Sequence, residues 1–97
     1  GKKPNRSNRW QDHYARRAKK ERYPSRSVYK LKEIQEKYHL IKKGHNVLDL
    51  GCSPGSWLLY GADLTGNKGR VVGLDIKPVS QKMPDNVYVH ICDILSI

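Results

Sequence analysis

The sequence contains no apolar run approaching the roughly 20 residues that a membrane-spanning helix needs. Its basic N-terminus is not followed by the apolar stretch of a secretory signal either. Neither a spanning helix nor an export signal is expected, which makes a cytoplasmic location the expectation. Cysteine is scarce: Cys52 and Cys92 lie far apart, and the histidines His13, His39, His45 and His90 stand at no metal-ligand interval. That scatter argues against a zinc module. It fits a reducing compartment in which both thiols act as small hydrophobes. Repeats and low-complexity tracts are absent. A hydrophobic share of 37% and a charged share of 29% over 97 residues suit one small domain, neither collagenous nor wholly disordered.

Acidic residues are the other deficit, and they are unevenly missing. Residues 1–46 hold 15 Lys+Arg against 4 Asp+Glu, a formal charge of +11, whereas residues 47–97 carry −1. All the excess positive charge precedes Val47. Such polarity points to a polyanion, nucleic acid before acidic lipid, because the arm has no clear apolar face to insert. A merely solubilising tail is the plain alternative. Arg6, Arg9, Arg16, Arg17, Lys19, Lys20, Arg22 and Arg26 are the cations expected to neutralise phosphates. Trp10, Tyr14 and Tyr23 offer rings that either stack on bases or pack the arm onto the body.

Residues 1–9 read as an irregular arm, broken by Pro4, Asn5, Ser7 and Asn8. Trp10 to Arg22 predicts a helix interrupted at Tyr23-Pro24. A second helix, capped by Ser25 or Ser27, runs to Tyr38 with Val28, Leu31, Ile34 and Tyr38 as its apolar stripe. Lys32 belongs to its solvated flank. Residues 1–24 thus form a basic, partly disordered arm, and residues 25–97 begin a second unit. From Asn46 the order is strand (46–50), glycine loop, helix (57–64), strand (70–75), loop (81–86) and strand (87–93). This predicts an α/β fold with a parallel, doubly wound sheet. The apolar, β-branched strands read as buried on both faces. Three strands of such a sheet leave an edge unpaired, so a further segment is expected to complete the domain.

In a sheet of this kind ligands bind beyond the carboxyl ends of the strands. Gly51-Cys52-Ser53-Pro54-Gly55 follows the first strand; Gly51 permits a tight turn, and Gly55 lets a ligand approach the next helix. Asp75 ends the second strand, where a carboxylate can accept both hydroxyls of a ribose. Asp93 closes the third and can accept a hydrogen bond from an adenine amine. Each has a structural alternative: a common glycine turn, a turn-forming Asp75, and a helix-capping Asp93. The loop lacks both the G-x-G-x-x-G pattern of dinucleotide folds and the Gly-Lys-Ser/Thr of a P-loop. A nucleoside without phosphates fits better, S-adenosylmethionine being the common one.

Asp49-Leu50-Gly51-Cys52-Ser53-Pro54-Gly55-Ser56-Trp57 resembles the first motif, D-L-G-x-x-P-G-G-W, of the FtsJ-type (RrmJ-like) RNA ribose 2′-O-methyltransferases. Ser25-Arg26-Ser27-Val28-Tyr29-Lys30-Leu31 resembles the family's R-S-R-x-x-(F/Y)-K-L segment. Leu74-Asp75-Ile76-Lys77-Pro78 and Cys92-Asp93 resemble its second and third cofactor motifs. Ser56 departs from the pattern, standing where the family usually has a second glycine.

The resemblance implies the N-terminal half of a Rossmann-like methyltransferase domain over residues 25–97, with S-adenosyl-L-methionine as cofactor. Its contacts would come from Gly51, Ser53, Gly55, Ser56, Trp57, Asp75, Ile76 and Asp93, and the substrate would be RNA, ribosomal RNA foremost. It also aligns Lys30 with the first lysine of a Lys-Asp-Lys-Glu catalytic set; by spacing alone Lys30 would be a solvated helix lysine. The 2′-hydroxyl is a poor nucleophile whose proton must be removed. In the family the second lysine does this, so Lys30 would orient the hydroxyl or stabilise developing charge. A noncatalytic RNA-binding module and a nicotinamide-dependent oxidoreductase are the competing readings. The other three members of the set have no counterpart in these 97 residues, so the segment by itself is expected not to turn over. Incubation with methyl-labelled S-adenosylmethionine and ribosomal RNA should give no incorporation above blank, and incorporation would overturn this expectation.

Overall fold

The computed structural model describes residues 6–96, with side chains from Arg9 onward. Helix α1 spans Arg6–Glu21 and helix α2 Val28–Tyr38; strand β1 (Asn46–Leu50), helix α3 (Ser56–Thr65), strand β2 (Arg70–Asp75) and strand β3 (Val87–Ile91) follow. A short 3-10 turn at Ile94–Ser96 ends the described chain. The three strands form one parallel sheet in the order β1-β2-β3.

The irregular arm expected through Arg9 is corrected, because α1 begins at Arg6. Serine and asparagine disfavour a helix interior only weakly, by well under about 1 kcal/mol each. Gly1–Asn5 lie outside the described residues. At its other end α1 closes without glycine: Arg22 adopts φ 65°, the Tyr23 amide donates to Ala18 O at 2.9 Å and the Arg22 amide to Lys19 O at 3.3 Å. This Schellman closure satisfies carbonyls that Pro24 could not. Helix α2 ends similarly, on His39 at φ 50°. Gln35 then clamps the following turn, donating to Ile41 O at 2.7 Å and accepting from Ile41 N at 3.0 Å.

On α2 the buried positions are Val28, Tyr29 and Leu31, while Ile34 and Tyr38 of the expected stripe face outward. Tyr29 is the centre of the contact between α1 and the body. Tyr14 stacks on it at 4.6 Å, Tyr23 meets it edge-on at 6.3 Å, and Arg17 lies 4.7 Å above its ring. Tyr14 and Tyr23 therefore pack the arm onto the body. Lys32, expected in solvent, is drawn inward. It pairs with Glu21 at 3.3 Å and lies 5.0–5.5 Å from the rings of Tyr23, Tyr60 and Tyr29. A lysine stem buries readily when its head finds a carboxylate and aromatic faces.

The second core lies between the sheet and α3, built from Cys52, Leu58, Ala62 and Val71, with Val79 and Met83 of the β2–β3 connection closing over it. Gly73 permits this approach: a Cβ there would stand 2.8 Å from both Cys52 Sγ and Leu58 Cδ2. The strands are buried on the side that faces α3, through Val47, Val71, Val87 and Val89. Register puts Leu48, Val72 and Tyr88 together on one side, and Leu50, Leu74 and His90 with them. Leu48 and Leu50 remain 59% and 56% exposed, on the side of the sheet away from the core that α3 forms. Strand β3 also stops at Ile91, short of Asp93.

Tyr29→Ala should cost about 3–5 kcal/mol, the range for emptying an aromatic from a core, and should expose the amides of α1 to hydrogen exchange first. Tyr29→Phe keeps the ring and should leave urea midpoint and exchange pattern close to the parent's.

Candidate functional site

The loop after β1 turns sharply at Gly51, which adopts φ 76° with open space where a side chain would stand. The amides of Gly51 and Cys52 both reach Leu74 O, at 2.7 and 3.2 Å, binding the loop's first half to β2. Ser53 N then donates to Asp75 Oδ2 at 2.8 Å, and Lys77 N to Asp75 Oδ1 at 2.9 Å. These N–H groups, Lys77's foremost, hold the Asp75 carboxyl below its ordinary pKa. Asp75 is thus both the turn former and the anchor of the glycine loop. Gly55, at φ 116°, has another constraint: a Cβ there would meet Met83 Cε at 2.7 Å and Val79 Cγ1 at 3.1 Å. The left-handed φ alone strains any side chain at that position, and the β2–β3 connection crowds it further.

Helix α3 begins at Ser56, whose hydroxyl joins the loop to the α1–α2 connection. It accepts from Ser25 N at 2.8 Å, lies 3.0 Å from Ser25 Oγ and donates to Ser25 O at 3.2 Å. Trp57 Nε1 donates to Ser27 O at 2.9 Å alongside. A cavity of about 380 Å3 opens between these elements, lined by Ser25, Ser27, Asp49 to Pro54, Ser56 and Trp57. Of the expected cofactor residues, Gly51, Ser53, Ser56 and Trp57 line it, and Asp75 holds its loop from behind. Ile76 is 65% exposed and outside it. Asp93 is also outside: it accepts from Leu95 N at 2.9 Å as the cap of the terminal turn.

Asp49, Leu50, Cys52 and Pro54, legible in the sequence only as members of a motif, and Ser25 and Ser27, expected as caps, also line the wall without having been named as cofactor residues. An acidic residue one place before the end of an apolar strand was the available signal for Asp49. Its Oδ2 is buried without a hydrogen-bond partner. Burial, then the neighbouring Asp75, pushes its carboxyl pKa upward, and burial likewise raises the Cys52 thiol. A buried, unpaired carboxylate is costly unless a ligand donates to it. This wall therefore suits a ligand with a positive, proton-donating group.

Lys30 lies in an adjoining cavity of about 550 Å3, with Trp10, Lys19, Tyr23 and Arg26 among its walls. Its Nζ is 4.9 Å from the Trp10 ring. The two cavities share Ser25 and Ser27. Arg9, Arg16, Lys19, Lys20, Arg22 and Arg26 are exposed, Arg6 starts α1, and Arg17 is engaged with Glu21 and Tyr29.

Raising the pKa of Asp49 in the folded state makes the native chain bind more protons than the unfolded one. The contribution of Asp49 to stability is then fully present below the ordinary carboxyl pKa and is lost as pH rises through the folded value. Asp49→Asn should raise the melting temperature at neutral pH and leave it near the parent's in acid. Thermal scans across that range check this; an equal shift at every pH would contradict it.

A family model described as FtsJ-like methyltransferase matches residues 23–97. Over 90 residues the chain is 56% identical to ribosomal RNA large subunit methyltransferase E of Desulforapulum autotrophicum, covering 93% of this chain and 44% of that protein. The enzyme of the same name from Bdellovibrio bacteriovorus is 49% identical over 79 residues, covering 81% of this chain and 40% of the relative. The chain spans less than half the length of these curated relatives. A crystal structure described as that of a ribosomal RNA methyltransferase from Plasmodium falciparum superposes with a TM-score of 0.62 at 40% identity, over 70% of this chain and 37% of that one. A family model over most of the chain and relatives at about half identity agree, and the chain belongs to the FtsJ-like methyltransferase family.

Proposed function

We propose that this chain carries the cofactor-binding half of an S-adenosyl-L-methionine-dependent methyltransferase acting on the ribose 2′-oxygen of RNA, ribosomal RNA foremost, in the cytoplasm. One observation carries the reading. A cavity holding the unpaired Asp49 carboxylate adjoins, across Ser25 and Ser27, a second cavity lined by Lys19, Arg26 and Lys30. The first suits a nucleoside with a cationic amino-acid tail and the second a phosphate chain. Bound there, the cofactor would supply an electrophilic sulfonium methyl.

The chain's own residues would do the rest. Asp49 accepts from the ligand's ammonium, and the lone pairs of Asp75 left by Ser53 and Lys77 accept ribose hydroxyls. Gly51, Ser53, Gly55, Ser56 and Trp57 shape the loop, with Ile76 and Asp93 at the adenine end. Lys30 is the one member of the catalytic set proposed within this span, orienting the ribose hydroxyl from the neighbouring cavity. The basic helix, with Arg6, Arg9, Arg16, Lys20 and Arg22 along it, neutralises phosphates, and Arg17 contributes by fastening that helix to Tyr29. The remaining catalytic residues, and the rest of the domain, are proposed to lie in the part of its relatives that this span does not cover.

Calorimetric titration should show S-adenosylhomocysteine binding and NAD not binding. Asp75→Ala, which frees the loop and removes the ribose acceptor, should abolish that binding. Tighter binding of NAD than of S-adenosylhomocysteine would replace this reading with that of an oxidoreductase.

A further inference from the structure

The larger cavity has a composition that holding a target ribose does not require. Trp10 and the Tyr23-Pro24 corner give it flat apolar walls, while Lys19, Arg26 and Lys30 bring three cations and, among the described residues, no carboxylate lines it. The rings of Tyr14 and Tyr23 are committed to Tyr29. Trp10 lines the cavity and is only half-buried, its ring approached by Tyr14 at a tilt and by Lys30 Nζ at 4.9 Å. The site is concave, with a half-buried indole that already attracts a lysine over its ring and with Lys19 and Arg26 beside it. This matches the chemistry of a single nucleotide: a π-face that a base can take over from the Lys30 head and positive charge for its phosphates. Its volume of about 550 Å3 exceeds that of the cofactor cavity beside it. A duplex could not place a base against Trp10 without unpairing it.

We propose that this cavity is a subsite for one unpaired nucleotide next to the methylated residue, its base stacked on Trp10 and its phosphates held by Lys19 and Arg26. The inference rests on the RNA reading above and deepens it. Lys30 then stands at the border between the flanking nucleotide and the reacting one, and its contact with the Trp10 ring couples the two. Selection of the target would come in part from whether a neighbouring base is free to leave its stack.

The test uses fluorescence anisotropy of a labelled six-nucleotide adenosine strand, and of the same ribose-phosphate strand without bases. The parent chain should bind the strand with bases more tightly. Trp10→Ala should erase that preference, losing about 5- to 150-fold for the strand with bases, the range of one base–aromatic stack, and little for the baseless one. Trp10→Tyr should restore most of the preference, and circular dichroism should show α1 intact. Lys19→Gln and Arg26→Gln should weaken both strands alike and flatten the salt dependence. Equal losses for both strands in Trp10→Ala, no loss for either, or tighter binding of a duplex than of the single strand would each overturn the proposal. S-adenosylhomocysteine binding, measured in parallel, should be the same in Trp10→Ala and parent. Its absence from the parent with base discrimination intact would sink the methyltransferase reading and leave the subsite standing.

Discussion

One hydroxyl, that of Ser56, connects the two halves of this structure. It is almost wholly buried, accepts from the Ser25 amide and donates to the Ser25 carbonyl, while Trp57 reaches Ser27 beside it. Without such partners the amide and carbonyl of Ser25 would be shut away from water at the junction of the α1–α2 connection with α3, at the cost that attends any unpaired buried backbone group. The junction fixes where the basic segment meets the glycine loop. Both cavities share it as a wall, so the distance from cofactor loop to cation cluster depends on it.

The same position explains the one departure from the family's first motif. A glycine there could make the turn but could not bond to Ser25. Serine turns a purely conformational position into a cross-link between elements 31 positions apart in sequence. The loop on the other side is held by Asp75, which uses both oxygens on backbone amides. Asp49, by contrast, is left with an oxygen unanswered by the protein. A site that stores an unsatisfied charge is less stable empty than filled, and this asymmetry between the two carboxylates is what a cationic ligand would relieve.

Much of the architecture was legible because the responsible signals are local. β1 and β2 lie where the apolar runs 46–50 and 70–75 put them, and α3 begins within a residue of expectation. The misreadings have a common origin in contacts between distant segments. Lys32 looked solvated until Glu21 and three tyrosines surrounded it. Tyr29, rather than Ile34 or Tyr38, faces inward because α1 folds back over it. Leu48 and Leu50 are exposed on the side of the sheet away from α3, in a chain that spans less than half the length of its curated relatives.

The glycine loop, the acidic strand ends and the concentration of positive charge ahead of Val47 are properties of residue type and spacing. They alone point to a nucleoside site with a polyanion beside it, because turn geometry, carboxylate chemistry and Coulomb's law act at short range in sequence. Only the folded chain decided that Met83 and Val79 close against Gly55, that Tyr14 and Tyr23 fasten the arm while Trp10 stays half-buried beneath Lys30, and that Lys30 opens into the cavity next to the loop instead of the loop's own. Each of these depends on side chains far apart in sequence competing for the same few ångströms of space, and close packing settles that competition.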